Sequence, residues 1–151
     1  MEIRNVDPGD LDLICRHREF MFREAGRDES ALAAMGPNFR RWLEPRLLDG
    51  SYFGFLAIDN DAVVAGIGLM EIDWPPHPSH PHQDKRGYVL NVFVEPGHRR
   101  RGIADLLMKA ADAEFKKREL TYAILHSTTM ARPLYENIGW TSTTEMAKSL
   151  A

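Results

Sequence analysis

Cysteine is almost missing from this chain of 151 residues. Cys15 stands alone, which excludes an internal disulfide and a cysteine-built zinc cage. Positive charge is not in excess either: Lys and Arg number 19 against 22 Asp and Glu, for a net −3. No global field therefore draws in nucleic acid or an anionic membrane surface. No apolar run approaches the ~20 residues that span a bilayer, and Met1-Glu2-Ile3-Arg4 lacks a signal-peptide core, so the expected location is the cytoplasm. Internal repeats are absent, and the one biased tract is the Pro/His-rich stretch from Trp74 to His82. Neither the P-loop nor the dinucleotide fingerprint occurs, which argues against an NTPase or a nucleotide-hydride enzyme.

What remains has ordinary globular composition, with 44% hydrophobic and 27% charged residues. The length suits one domain over residues 1–151, burying roughly 68–70% of its unfolded surface without staples. Asp7-Pro8-Gly9-Asp10 reads as a turn into a helix, where Leu11, Ile14, Cys15 and Phe22 form an apolar stripe that Arg18 interrupts. Gly26 ends that helix. A second helical pattern runs through Leu32, Met35, Phe39, Trp42, Leu43 and Leu47, with Gly36-Pro37 expected to break or kink it. The period then changes. Tyr52 to Ile58 and Ala62 to Ile72 flank Asp59-Asn60-Asp61 as a β-hairpin. Four prolines make the following stretch an exposed loop. Tyr88 to Val94 and Tyr122 to Leu125 read as strands, Gly102 to Lys117 and Ala131 to Asn137 as helices. Ile3 to Val6 and Trp140 to Ala147 are expected as further strands. Mixed helices and strands give an α/β or α+β class.

The chemistry concentrates in Val92-Phe93-Val94-Glu95-Pro96-Gly97-His98-Arg99-Arg100-Arg101-Gly102-Ile103-Ala104. A buried strand stops at proline, crosses a basic turn and enters an amphipathic helix at glycine. The first turn of a helix holds unsatisfied N–H groups and partial positive charge, so it can bind a phosphate. Arg99, Arg100 and Arg101 add charge, and three cations placed there oppose the helix dipole unless an anion joins them.

Arg99-x-x-Gly102-x-Ala104 behind Val92-x-Val94-x-Pro96 resembles the acetyl-CoA pyrophosphate motif of the GNAT N-acetyltransferase superfamily. Ala131-Arg132-Pro133-Leu134-Tyr135-Glu136-Asn137-Ile138-Gly139-Trp140 is similar to that family's A-x-x-L-Y-E-x-x-G-F segment, with Trp140 in place of Phe. The resemblance implies a mixed central sheet of about six to seven strands with a splayed pair, flanked by about four helices. It implies acetyl-CoA as cosubstrate, with the pantetheine arm on the backbone of Val92, Phe93 and Val94. The pyrophosphate falls on Arg99, Arg100, Arg101, Gly102, Ile103 and Ala104. Thr128 stands where many members carry Asn, and it donates over a shorter reach. The acceptor it implies is the amine of a small molecule or a peptide, and a homodimer is compatible with it. A second function class stays open: a CoA-binding sensor or interaction module without turnover.

By the same resemblance, Tyr135 gives a proton to the departing thiolate; taken by itself, the residue also reads as a core tyrosine with its hydroxyl tied to backbone. Glu71 and Asp73, at alternate positions of one strand and hence on one face, are the candidate bases for the amine, or else solvated strand-end carboxylates. Asn91, polar within an apolar run, either lines the substrate side or satisfies a local backbone group. His77, His80 and His82 lack the fixed geometry of a metal site and read as a substrate-side loop. His126 either faces the cofactor or sits satisfied at a strand end, and Cys15 reads as inert core.

Overall fold

A computed structural model describes residues 1–151. Five strands form one sheet in the order β1-β2-β3-β4-β5: β1 (Glu2–Asn5), β2 (Phe53–Asp59), β3 (Ala62–Asp73), β4 (Lys85–Val94) and β5 (Ala123–Leu125). The first four pair antiparallel and β5 joins β4 in parallel. Four helices flank the sheet: α1 (Leu11–Glu24), α2 (Glu29–Asp49), α3 (Ile103–Lys117) and α4 (Arg132–Asn137). Asn60 and Asp61 take positive φ, 50° and 63°, which closes the β2–β3 hairpin tightly.

The sheet has two differently covered faces. α3 buries Leu107, Met108, Ala111 and Phe115 against Ala65, Ile67, Leu69 and Val89, as its apolar residues at helical spacing require. On the other face, α1 and α2 bring Leu11, Ile14, Phe39, Leu43 and Leu47 onto Tyr52, with Met70 and Leu90 packed alongside. Successive strand residues point to opposite faces. Ile67 and Leu69 therefore share the α3 face with Glu71 and Asp73, and Met70 and Ile72 face the other way.

Two expectations from sequence need correction. The sheet has five strands, not six to seven, because the chain from Trp140 to Ala147 forms none. Beyond Trp140 the only large apolar residues are Met146 and Leu150, 93% and 89% exposed, so a strand there has no face to bury. α2 runs unbroken through Gly36-Pro37 and also contains Pro45. Both prolines sit on its exposed side, where water can take the carbonyls each one frees. The Pro/His stretch is the exposed loop that its prolines predict, with one buried anchor. His80 is 1% exposed and its Nε2 accepts from Arg86 Nε at 2.9 Å, while Arg86 stacks over Trp74 and Tyr122.

Candidate active site

β4 changes character halfway along. Gly87, Tyr88 and Val89 pair with β5, and beyond Val89 the β5 side of the strand has no partner. On the β3 side, Gly66 faces Phe93 and Gly68 faces Leu90. Asn91 and Val92 thus oppose the single residue Ile67, and Asn91 adopts φ 56°. This is a β-bulge, which kinks and twists the strand away from its neighbour. Asn91 is suited to it, because asparagine tolerates the left-handed region better than the surrounding aliphatics.

The opening is a cleft of about 860 Å³ between β4, the start of α4 and the α1–α2 pair. Val92, Ser127, Thr128, Ala131 and Tyr135 line one part of it; Arg18, Phe22, Phe39, Trp42, Met70 and Tyr88 line another. Tyr135 is buried, 8% exposed, beside Trp140. No hydrogen bond holds its hydroxyl within the protein, and burial pushes the phenol above its ordinary pKa. The Thr128 hydroxyl accepts from the Ala131 N–H at 3.2 Å, fixing the turn into α4.

The basic turn leads directly into α3. Gly102 lies at φ 76° and a side chain there would meet open space. The N–H groups that follow it have no intrahelical acceptor, which fits an approaching phosphate. Arg100 and Arg101 are exposed. Arg99 is committed elsewhere: both Nη atoms reach the Glu24 carboxylate at 2.7 Å, and Nε donates to the Val94 carbonyl at 2.9 Å. That pair ties the end of α1 to the turn. Its neighbour on the strand, Phe93, turns its ring inward against His17 and Phe20.

Glu71 and Asp73 do not reach the cleft. Glu71 pairs with Arg118 at 3.4 Å and Asp73 with Lys85 at 3.4 Å, whereas Met70 and Ile72 line the cavity. They do share a face, as their spacing requires, but it is the α3 face. The histidines of the Pro/His stretch are likewise absent from the lining, and no group of three metal-ligating side chains exists. His126 is the one imidazole that lines the cleft, its Nε2 3.3 Å from Glu145.

Arg18 is the residue that the sequence undervalued. Its Nη1 donates to Asn91 Oδ1 at 2.7 Å, and Asn91 Nδ2 donates to the Tyr52 hydroxyl at 2.9 Å. Tyr52 can lie across β3 because Gly68 leaves it room. The guanidinium stacks on Phe22 and Phe39, with centroid distances of 4.9 and 4.5 Å. Its Nε is buried without a hydrogen-bond partner, and no Asp or Glu lines the cleft. Burial pushes the pKa of Arg18 down. The two cation–π contacts return about 0.5–2 kcal/mol each and the Asn91 hydrogen bond about 1.5–3 kcal/mol, which offset the desolvation of this half-buried charge. The signal available beforehand was its place on the apolar stripe of α1.

A family model described as the acetyltransferase (GNAT) family matches residues 13–140. A GCN5-related N-acetyltransferase from Ralstonia eutropha JMP134 is 59% identical in its crystal structure, with TM-score 0.97 over 99% of this chain and 97% of that one. A predicted acetyltransferase from Clostridium acetobutylicum, crystallised with acetyl-CoA, is 23% identical with TM-score 0.88, over 98% and 94% of the two chains. An aminoglycoside 6'-N-acetyltransferase from Acinetobacter haemolyticus shares the fold at 14% identity, TM-score 0.72, over 100% and 98%. No curated protein matches the chain.

Proposed function

The chain belongs to the GNAT acetyltransferase family, and from that premise we propose that it transfers an acetyl group from acetyl-CoA to a primary amine by direct attack. The observation that carries this reading is the cleft where β4 leaves β5, with the Tyr135 hydroxyl unattached within it. Acetyl-CoA supplies the activated acyl group. The open edge of Val92, Phe93 and Val94 offers backbone partners to the pantetheine arm, except for the Val94 carbonyl, which Arg99 Nε already holds. The N–H groups from Arg100 to Ala104, with the side chains of Arg100 and Arg101, hold the pyrophosphate; the Arg99 N–H is taken by the Pro96 carbonyl. Arg99 contributes by fixing that turn through Glu24, and Thr128 by fixing the turn into α4.

Tyr135 donates its proton to the departing sulfur. A phenol whose pKa burial has raised stays protonated at neutral pH, as a proton donor must. His126 accepts the proton released by the acceptor ammonium, since no carboxylate lines the cleft. The likeness to an aminoglycoside acetyltransferase covers the fold. A cleft with arginines and no acid gives a polycationic acceptor no counter-charge.

Calorimetric titration with acetyl-CoA, followed by free-thiol release across an amine panel, tests the reading. Binding with a rise in melting temperature and amine-dependent thiol release are expected. Tight binding with no amine-dependent release from any acceptor would replace the enzyme with a CoA-binding sensor.

A further inference from the structure

We infer that Arg18 is the carboxylate-recognition point of the acceptor site, so that the acetylated amine carries a carboxylate and an apolar body, as an apolar amino acid does. This rests on the acetyl-transfer reading and specifies its substrate. Arg18 lines the same cleft as Tyr135 and meets the bulge of β4 through Asn91. Its orientation is fixed: Phe22 and Phe39 lie against the guanidinium and Asn91 holds Nη1. Nη2 makes no hydrogen bond within the protein, on a side chain that lines the cleft, while Nε beside it is sealed from solvent without a partner. The unpartnered Nη2 is a charge-assisted donor for one oxygen of a carboxylate.

Charge supports the assignment. The cleft holds Arg18 and Arg27 and no acid, so the chain itself offers no counter-ion to a half-buried guanidinium. The phosphates of CoA have their own basic turn at the far end of β4, and Arg99, Arg100 and Arg101 do not line this cavity. Met35, Trp42, Met70 and Ile72 supply the apolar surround. Such a surround suits a hydrophobic side chain rather than a second charge. The chemistry of transfer is unchanged. The ammonium gives one proton to His126, the neutral nitrogen bonds to the acetyl carbon, and the C–S bond breaks as Tyr135 protonates sulfur; the second nitrogen proton, shed as the amide forms, returns to the Tyr135 oxygen.

Three probes of one size test this: L-phenylalanine, L-phenylalaninamide and 2-phenylethylamine, with acetyl-CoA and thiol release as readout. The wild-type kcat/KM for phenylalanine is expected to exceed that for the amide about 10- to 100-fold, the worth of one charge-assisted hydrogen bond. The amide has the less basic amine, so unaided reactivity would favour it. In Arg18→Met the ratio should collapse to within about threefold, with the change carried by KM, and Arg18→Lys should restore part of it. Melting curves and acetyl-CoA titration of both variants separate a folding defect from lost recognition. Should Arg18→Met not fold, the wild-type ratio and Arg18→Lys still decide. Equal use of phenylalanine and its amide by the wild type, or a ratio that survives Arg18→Met, overturns the inference. If no probe is turned over, calorimetric binding of phenylalanine and its amide to the CoA-loaded protein reads the same discrimination. Equal binding, or none, then overturns it. Loss of acetyl-CoA binding itself would instead sink the acetyltransferase reading.

Discussion

Arg99 and Arg18 stand at the two ends of the open stretch of β4, and they are opposite in kind. Arg99 is exposed and fully partnered, its fork filled by Glu24 and its Nε by Val94. Arg18 is half-buried and partly unpartnered, in a cleft that no carboxylate lines. An exposed pair such as Arg99–Glu24 is worth about 0–1 kcal/mol, so it serves as a tie between α1 and the basic turn. Arg18 is held by two aromatic rings and Asn91 rather than by an acid, so its charge is left for a ligand of the cleft. The turn at Gly102 is built mainly of backbone, whereas the α1–α2 side of the cleft works through side chains.

The sharpest break of that contrast is at Gly102. Gly102→Val forces a β-branched residue to φ 76°, which costs about 1–2 kcal/mol of stability. It also fills the open space before the helix N–H groups. Acetyl-CoA affinity should fall by on the order of 100-fold, measured by titration calorimetry on protein confirmed folded. Glu24→Gln should alter that affinity by no more than about fivefold, since it removes a tie and leaves the backbone donors. Equal losses for the two variants would erase the distinction between a backbone site and a side-chain tie.

The second largest effect belongs to His17, the neighbour of Arg18 on α1. Its imidazole is 2% exposed against Phe93, and burial pushes its pKa from 6.5 down to about 4. Between those values the unfolded chain takes up a proton that the folded one refuses. Stability is therefore complete above pH 6.5 and drains as pH falls toward 4, by up to about 3 kcal/mol. Urea denaturation at stepped pH should show this slope in the wild type and a flatter one in His17→Leu. A slope that survives the substitution would assign the acid sensitivity to carboxylates.

How far this site could be read from sequence depended on whether each signal was local. The basic turn and the segment around Tyr135 were legible because backbone sites need glycine, proline and helix starts at fixed spacing. β-strand periodicity placed Glu71 and Asp73 on a common face, but not on the face that carries the cleft. Ile67 and Leu69 share their parity, and only the packing of α3 against those two shows which side it is. Arg18 was visible as an interruption of a stripe, yet the absence of an acid around it is a tertiary fact. The same holds for His80, buried by Arg86 from the next strand, and for the chain after Trp140, whose polar composition leaves a strand nothing to cover.

Tyr135→Phe comes next in size. Its hydroxyl supports no hydrogen bond in the fold, so melting temperature and acetyl-CoA affinity should change little. Turnover should drop about 10- to 100-fold, because the missing proton is needed only as sulfur departs. Undiminished turnover would remove the phenol from the reaction and leave solvent to protonate the thiolate.

The smallest effect is expected where sequence first placed the base. Glu71 faces Arg118 and Asp73 faces Lys85 on the α3 side of the sheet, with the β3 backbone between them and the acceptor. Glu71→Gln and Asp73→Asn should change kcat by less than about twofold at every pH, the range typical of substitutions in solvated pairs. His126→Gln should behave differently if the proton leaves through the cleft. Its deficit should be greatest at low pH, where little of the acceptor is already neutral, and should fade as pH rises and solvent supplies the free amine. pH profiles of the three variants, at saturating acetyl-CoA and acceptor, separate the two faces of the sheet directly. A deficit at low pH in Glu71→Gln or Asp73→Asn, with none in His126→Gln, would mean that β3 presents its carboxylates to the acceptor after all.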